Sequence, residues 1–151
     1  WYYEQQLLGY NYRITDIQCA LGISQMAKLE RYLEIRKTLV NRYNEAFGHC
    51  KNIVIPCQLE NVESGWHLYV IRVLNHDRRD VFEQLRDLGI GVNVHYIPVY
   101  KHPYYQENGY KDICCDRAER IYEQMISLPL YPLLTKQEQD YVTQKVIEVV
   151  G

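Results

Sequence analysis

A chain of 151 residues, 47% hydrophobic and 24% charged, has the make-up of one globular unit able to bury a core without staples. Its net charge of −2 leaves no basic excess to neutralise a phosphate backbone, which argues against a nucleic-acid partner. No run approaches 18 apolar residues and no signal peptide opens the chain, so neither a membrane span nor a secretory leader is expected.

The sequence starts at Trp1, and Trp1-Tyr2-Tyr3 is an unusual opening, so it reads as a fragment of a longer chain. Residues 1–14 form an irregular, polar and aromatic entry segment around Gly9. Thr15-Asp16-Ile17-Gln18 has the spacing of a capping box and predicts a helix start. Ile17, Ala20, Leu21 and Ser24 follow at helical spacing, and Gly22 among them suggests close packing against a neighbour. A second stripe, Leu29, Leu33, Val40, Tyr43 and Phe47, is interrupted by Arg36. The run 15–47 is long for one helix, so a break is expected near Lys28–Glu30, and Gly48 ends it. Ile53-Val54-Ile55 predicts a strand stopped by Pro56, and Trp66 to Val73 predicts another. Asp77 caps a helix with Val81, Leu85 and Leu88 inward, ended by Gly89. Gly91 to Tyr96 reads as a further strand, and Pro98 to Tyr110 as an aromatic loop. A helix is expected from about Asp112 to Met125, with Ala118, Ile121, Tyr122 and Met125 inward. Leu128 to Pro132 is extended, since each proline biases its predecessor away from helix. Thr135-Lys136-Gln137-Glu138 is a second capping box, opening a helix with Val142, Val146 and Val149 on one face. Helices alternating with a small set of strands predict an α/β fold, a two-layer sandwich on a mainly antiparallel sheet.

The five cysteines, Cys19, Cys50, Cys57, Cys114 and Cys115, contain no C-x-x-C pair. Free thiols in a reducing cytosol fit them better than a zinc site or a redox motif. His67, His95 and His102 have no metal-ligand spacing, and no serine has a nucleophile context. Tyrosine is the compositional oddity, with 15 against 2 Phe and 2 Trp. It suits interfaces and polar-ligand clefts as well as ordinary surface packing.

Three segments are richer in polar and aromatic groups than a core needs. In Gly9 to Asp16, the Asn11 amide and the Arg13 guanidinium lie just before a helix N-terminus. That end of a helix favours a phosphate or carboxylate; the alternative is that both residues only cap and brace the turn. In Asn93 to Tyr105, a strand would put Asn93 and His95 on one face, and Val94 and Tyr96 on the other. His95 could serve as acid, base or ligand contact, or be a hydrogen-bonded structural residue. Trp66-His67-Leu68-Tyr69 is the third, and is readable simply as a strand start.

Together the run from Trp1-Tyr2-Tyr3-Glu4 through Leu8-Gly9-Tyr10-Asn11-Tyr12-Arg13-Ile14-Thr15-Asp16 to Gly22, the run Val94-His95-Tyr96-Ile97-Pro98 followed by His102-Pro103-Tyr104-Tyr105, and Ser127-Leu128-Pro129-Leu130-Tyr131-Pro132 resemble the DegT/DnrJ/EryC1/StrS sugar aminotransferases. Within that family the wording is nearest to transaminases of the pseudaminic acid type and to spore coat polysaccharide enzymes. The resemblance implies the C-terminal portion of a fold-type I, pyridoxal 5'-phosphate-dependent enzyme. Residues 1–30 would be the tail of the large cofactor-binding domain with a connecting helix, and 31–151 the C-terminal small α/β domain. It implies a nucleotide-linked 4-keto-6-deoxy sugar as substrate, glutamate as amino donor, a homodimer, and a cytoplasmic setting, with neither nucleic acid nor membrane as partner. Asn11 would reach the cofactor phosphate, and Arg13 and the segment His95, Tyr96, Ile97, Pro98 and Val99 would border the substrate. The family's Schiff-base lysine is expected upstream of Trp1. No catalytic residue is therefore assigned to this chain, and by itself it is expected to be inactive and to bind no cofactor. A pyridoxal-phosphate-dependent sugar dehydratase and a non-catalytic α/β interaction module are the alternatives.

Overall fold

Both capping boxes form. In the computed structural model, which describes residues 1–10 and 12–151, Gln18 N–H donates to Thr15 Oγ1 and Thr15 N–H to Gln18 Oε1. This pair opens helix α1 (Asp16–Met26). After the expected break, α2 (Leu29–Phe47) buries Leu39, Val40, Tyr43 and Phe47. Gly48 ends it in right-handed backbone, where a Cβ would meet Asn44 O at 2.8 Å. Lack of a side chain, rather than left-handed freedom, is what this glycine supplies. Arg36, the interruption in the stripe, is a brace. Its Nη1 reaches the carbonyls of Trp66 (3.0 Å), His67 (3.2 Å) and Leu130 (3.2 Å), tying two distant loops to α2.

Strands β1 (Ile53–Val54), β2 (Tyr69–Val73) and β3 (Met125–Leu128) form an antiparallel sheet in the order β1-β2-β3. On β2 the side chains of Tyr69, Ile71 and Val73 are buried while Val70 and Arg72 are half-buried, the period-2 pattern of a pleated strand. Helices α2, α3 (Arg78–Asp87) and α6 (Lys136–Val150) supply the rest of the main core through Val81, Leu85, Val142, Val146 and Val150. Between α3 and β3 come one helical turn, α4 (Pro103–Tyr105), and α5 (Asp116–Gln124). All four residues of β3 are buried, so both its faces are covered. Ile126 and Leu128 join the main core; Met125 and Ser127 do not, and face the other way.

Several expectations change. The second strand starts at Tyr69 because Trp66 adopts a φ of +46°, outside extended backbone. Gly91 to Tyr96 is not a strand: its one pairing is a bridge between Asn93 and Ser127, and its apolar alternation reflects burial of Val92 alone. The loop from Pro98 contains the 3-10 turn Val99–Lys101, α4 and a wide turn closed by Gly109 at φ +94°. The helix expected from Asp112 begins at Asp116, after extended Cys115. It leaves Ile121 exposed and gives Met125 to β3. In α6 Val149 packs half-buried against the core as expected, and Val150 joins it fully buried. A Cβ on Gly22 would meet nothing within 4 Å, so within this chain that glycine accommodates no neighbour.

Candidate functional site

Asn93 pairs with Ser127 along the edge of β3 away from β2, and the run to Lys101 continues from there. Ser127 N–H donates to Asn93 O (2.7 Å) and Asn93 N–H to Ser127 O (3.2 Å), pinning the chain two residues before His95. Asn93 turns its own Oδ1 back to Val94 N–H at 2.8 Å. The His95 ring, half-buried, places Nδ1 2.8 Å from Ser127 Oγ and meets the Tyr96 ring edge-on at 4.8 Å. The His95–Tyr96 peptide is cis. Tyr96 and Val99 are exposed at 71% and 59%, while Ile97 and Pro98 are half-buried. This run therefore presents a histidine and an aromatic ring on an open surface.

The next turn is fastened to α5. Lys101 Nζ and Tyr100 Oη both bond Glu119, and Cys115 N–H donates to Tyr100 Oη at 3.2 Å. The hydrogen bond from Lys101 holds the Glu119 carboxyl below the usual carboxylate range, and the same contact raises Lys101. Cys114 donates to Asp116 and Glu119, and those bonds push its thiol up. A thiol so held is a poor nucleophile, in line with a structural rather than a reactive cysteine.

The other predicted half of the site lies apart. Asn11 falls outside the described residues. Arg13 is exposed, as are its neighbours Tyr12 and Ile14, and Tyr12 stacks on Tyr10 at 5.6 Å. Helix α1, which follows this loop, buries no residue. Trp66 and His67, the third candidate segment, give their carbonyls to Arg36 and form a braced loop instead of a strand start.

Of two roomy hollows, about 610 and 660 Å³, the first is lined by no candidate residue and the second by Trp66 of the third candidate segment. Asn93 and Val94 border a smaller one of about 290 Å³ with Arg78, Arg79 and Phe82. Among the described residues, no three His, Cys, Asp or Glu side chains come together to hold a metal ion. No helix of the described residues is long and apolar enough to cross a membrane. Pyridoxal phosphate, which the resemblance implies, needs a lysine amine free to attack its aldehyde. Lys28, Lys37, Lys51, Lys111 and Lys136 are exposed, and half-buried Lys101 and Lys145 are ion-paired to Glu119 and Glu148. Lys101 and Lys145 are thus held by carboxylates, and exposure alone does not single out a carrier among the other five.

Ser127 opens the run to Pro132 that carries part of the resemblance, but its place in the site is not legible in the sequence: it lies 32 positions from His95 and follows a helix without a break.

Comparison with known proteins covers almost the whole chain. The model of the DegT/DnrJ/EryC1/StrS aminotransferase family matches residues 2–147. The spore coat polysaccharide biosynthesis protein SpsC of Bacillus subtilis is 35% identical over 99% of this chain and 40% of its own length. The UDP-4-amino-4,6-dideoxy-N-acetyl-beta-L-altrosamine transaminase of Campylobacter jejuni is 30% identical, over 99% of this chain and 40% of its own. Among solved structures, Spr1654 of Streptococcus pneumoniae in its PLP form superposes with a TM-score of 0.87 and 31% identity, over 99% of this chain and 39% of that one. The chain thus spans about 40% of the length of the curated relatives it matches.

Proposed function

The chain belongs to the DegT/DnrJ/EryC1/StrS aminotransferase family, and on that premise we propose that it is the C-terminal part of a sugar aminotransferase. In this reading, residues 1–30 complete a large cofactor-binding domain and 31–151 form the small domain. The protein of full family length carries pyridoxal phosphate and takes its amino group from glutamate. Its substrate is a nucleotide-linked 4-keto-6-deoxy sugar destined for a surface polysaccharide or a pseudaminic acid-type product. Asn11 serves the cofactor phosphate; Arg13, His95, Tyr96, Ile97, Pro98 and Val99 border the sugar nucleotide. When bound, the cofactor supplies the electron sink for amino transfer, and this chain's residues bind and orient.

The observation that carries the reading is the exposure of the two polar-aromatic segments. Arg13, Tyr96 and Val99 stand open to solvent, and neither of the two roomy hollows encloses them. Sites that bind small molecules bury most of the ligand, so such segments make sense as two walls of a site completed by other surfaces. The apolar groups on and before α1, including Ile14, Ile17, Leu21 and Ile23, offer the matching contact for a large domain and a second subunit.

The test is amination of a UDP-linked 4-keto-6-deoxy-N-acetylhexosamine with glutamate and pyridoxal phosphate, followed by mass spectrometry. Protein of full family length should give the amino sugar and 2-oxoglutarate, and this chain alone should give neither. A dehydrated sugar in place of the amine would overturn the transaminase reading. Amination by the 151-residue chain alone would overturn its proposed dependence on other segments. Light scattering should detect self-association of the chain, and a strictly monomeric species at high concentration would count against the proposed interface.

A further inference from the structure

Ser127 combines three contacts in one residue. It is 3% exposed, its backbone exchanges both hydrogen bonds with Asn93, and its hydroxyl faces His95 Nδ1 at 2.8 Å. Hydrogen-bond accounting then decides which way that last bond runs. A serine hydroxyl has one hydrogen to donate, and a buried donor without an acceptor is costly. Among the described residues the hydroxyl has no other partner than His95 Nδ1. If Nδ1 carried the hydrogen, the serine oxygen would accept it and the buried serine hydrogen would be left without an acceptor among the described residues. The hydroxyl therefore donates, Nδ1 accepts, and the ring hydrogen sits on Nε2. That nitrogen reaches solvent: it has no partner among the described residues, yet the single buried unpartnered side-chain atom among them is Gln139 Oε1.

We infer that Ser127 is a positioning residue that fixes His95 as an outward Nε2–H donor, set to bond an acceptor oxygen of the nucleotide-linked sugar. The inference rests on the proposed function for the identity of the ligand, but not for the state of the ring. The buried serine holds the ring from behind and spares the site the entropy of ordering it on binding. Backbone bonds at Asn93 fix the chain, and the hydroxyl fixes the ring.

The experiment is long-range ¹H–¹⁵N correlation of the imidazoles of this chain, uniformly labelled, in mildly alkaline buffer where imidazole is neutral. His95 should show a protonated Nε2 and an unprotonated Nδ1, in the wild type and in Ser127→Thr. Ser127→Val, with the shape of threonine but no hydroxyl, should show averaged ring-nitrogen shifts from tautomer exchange. A wild-type His95 protonated at Nδ1 overturns the inference, and this measurement needs no variant to fold. A folded Ser127→Val whose His95 spectrum equals the wild type overturns it as well. In the protein of full family length, Ser127→Val should raise KM for the sugar nucleotide about tenfold, as for one lost hydrogen-bonding partner, and Ser127→Thr should restore it. Failure of the functional reading has a different outcome: the tautomer is as assigned but no sugar nucleotide is aminated by the full-length protein, which overturns the ligand role of His95 and leaves the ring assignment intact.

Discussion

Helices α1 and α6 start alike and end up in opposite environments. Each opens on a threonine whose hydroxyl accepts from the N3 backbone while the N3 side chain reaches back, through Gln18 in one and Glu138 in the other. Yet α6 buries Gln139, Val142, Val146 and Val150, whereas α1 buries nothing. Ile17 and Ile23 of α1 are 76% and 72% exposed. The capping box thus decides where a helix begins, and has no say in whether it is packed. Within one chain, most helical stability comes from the tertiary face, and a short helix without one is marginal in water. The difference separates a body packed around a core from an arm, the entry segment with α1, whose apolar side chains stay exposed.

Charge placed on the two helices should break the symmetry most. Val146→Asp puts a carboxylate into a fully buried site and should cost more than about 4 kcal/mol in urea unfolding, or prevent folding. Leu21→Asp should change stability by less than about 0.5 kcal/mol while lowering self-association in light scattering. An equal loss from the two would mean that α1 packs on the body in solution. Next in size is Arg36→Leu, which removes the donor shared by three loop carbonyls; a loss of about 2 kcal/mol in the same assay is expected. Thr135→Ala should cost about 1 kcal/mol as a lost cap. Thr15→Ala should reduce helical circular dichroism without moving the global unfolding midpoint. Equal midpoint shifts for the two threonines would erase the contrast.

The smallest effect is one of pH. Thr135 N–H and its hydroxyl hold the Glu138 carboxyl below the ordinary glutamate range. A carboxyl depressed in the folded state adds stability above its unfolded pKa and loses it as the pH falls through the folded one. The midpoint should therefore drop from the ordinary glutamate range downward, slightly less steeply in Glu138→Gln. A slope unchanged by that substitution would remove Glu138 from the account.

The sequence announces what depends on near neighbours. Both capping boxes, the break after Met26, Asp77 as an N-cap and the Val40-Tyr43-Phe47 stripe all follow from spacing. It conceals what distant residues decide. Met125-Ile126-Ser127-Leu128 continues α5 without a breaker and becomes a strand because β2 waits for it at Tyr69–Arg72. The alternation in Gly91–Tyr96 looked like a ladder, but beyond Asn93 there is no partner to pair with. Arg36 broke a stripe on paper and proved to be its tie to two loops. For the site, His95 to Val99 stood out through their polar and aromatic side chains, and the family resemblance gave them a role. Ser127 opens the third run of that resemblance, but its hold on His95 shows only once the contacts at Asn93 and His95 are seen.

The stacked core tyrosines have a consequence for spectroscopy. Tyr43 and Tyr69 lie 4.8 Å apart, with their hydroxyls bonded to Pro129 O and Asn44 Oδ1, and burial pushes both phenols well up. Tyr3, Tyr10 and Tyr12 are open to solvent. An alkaline difference spectrum should therefore show a late phenolate stage from the core pair. That pair ionises only as the fold gives way, because a raised phenol stabilises the native state below its unfolded pKa and ceases to do so as alkali strengthens. The late absorbance is a built-in optical reporter of the body's opening, to which the arm is silent.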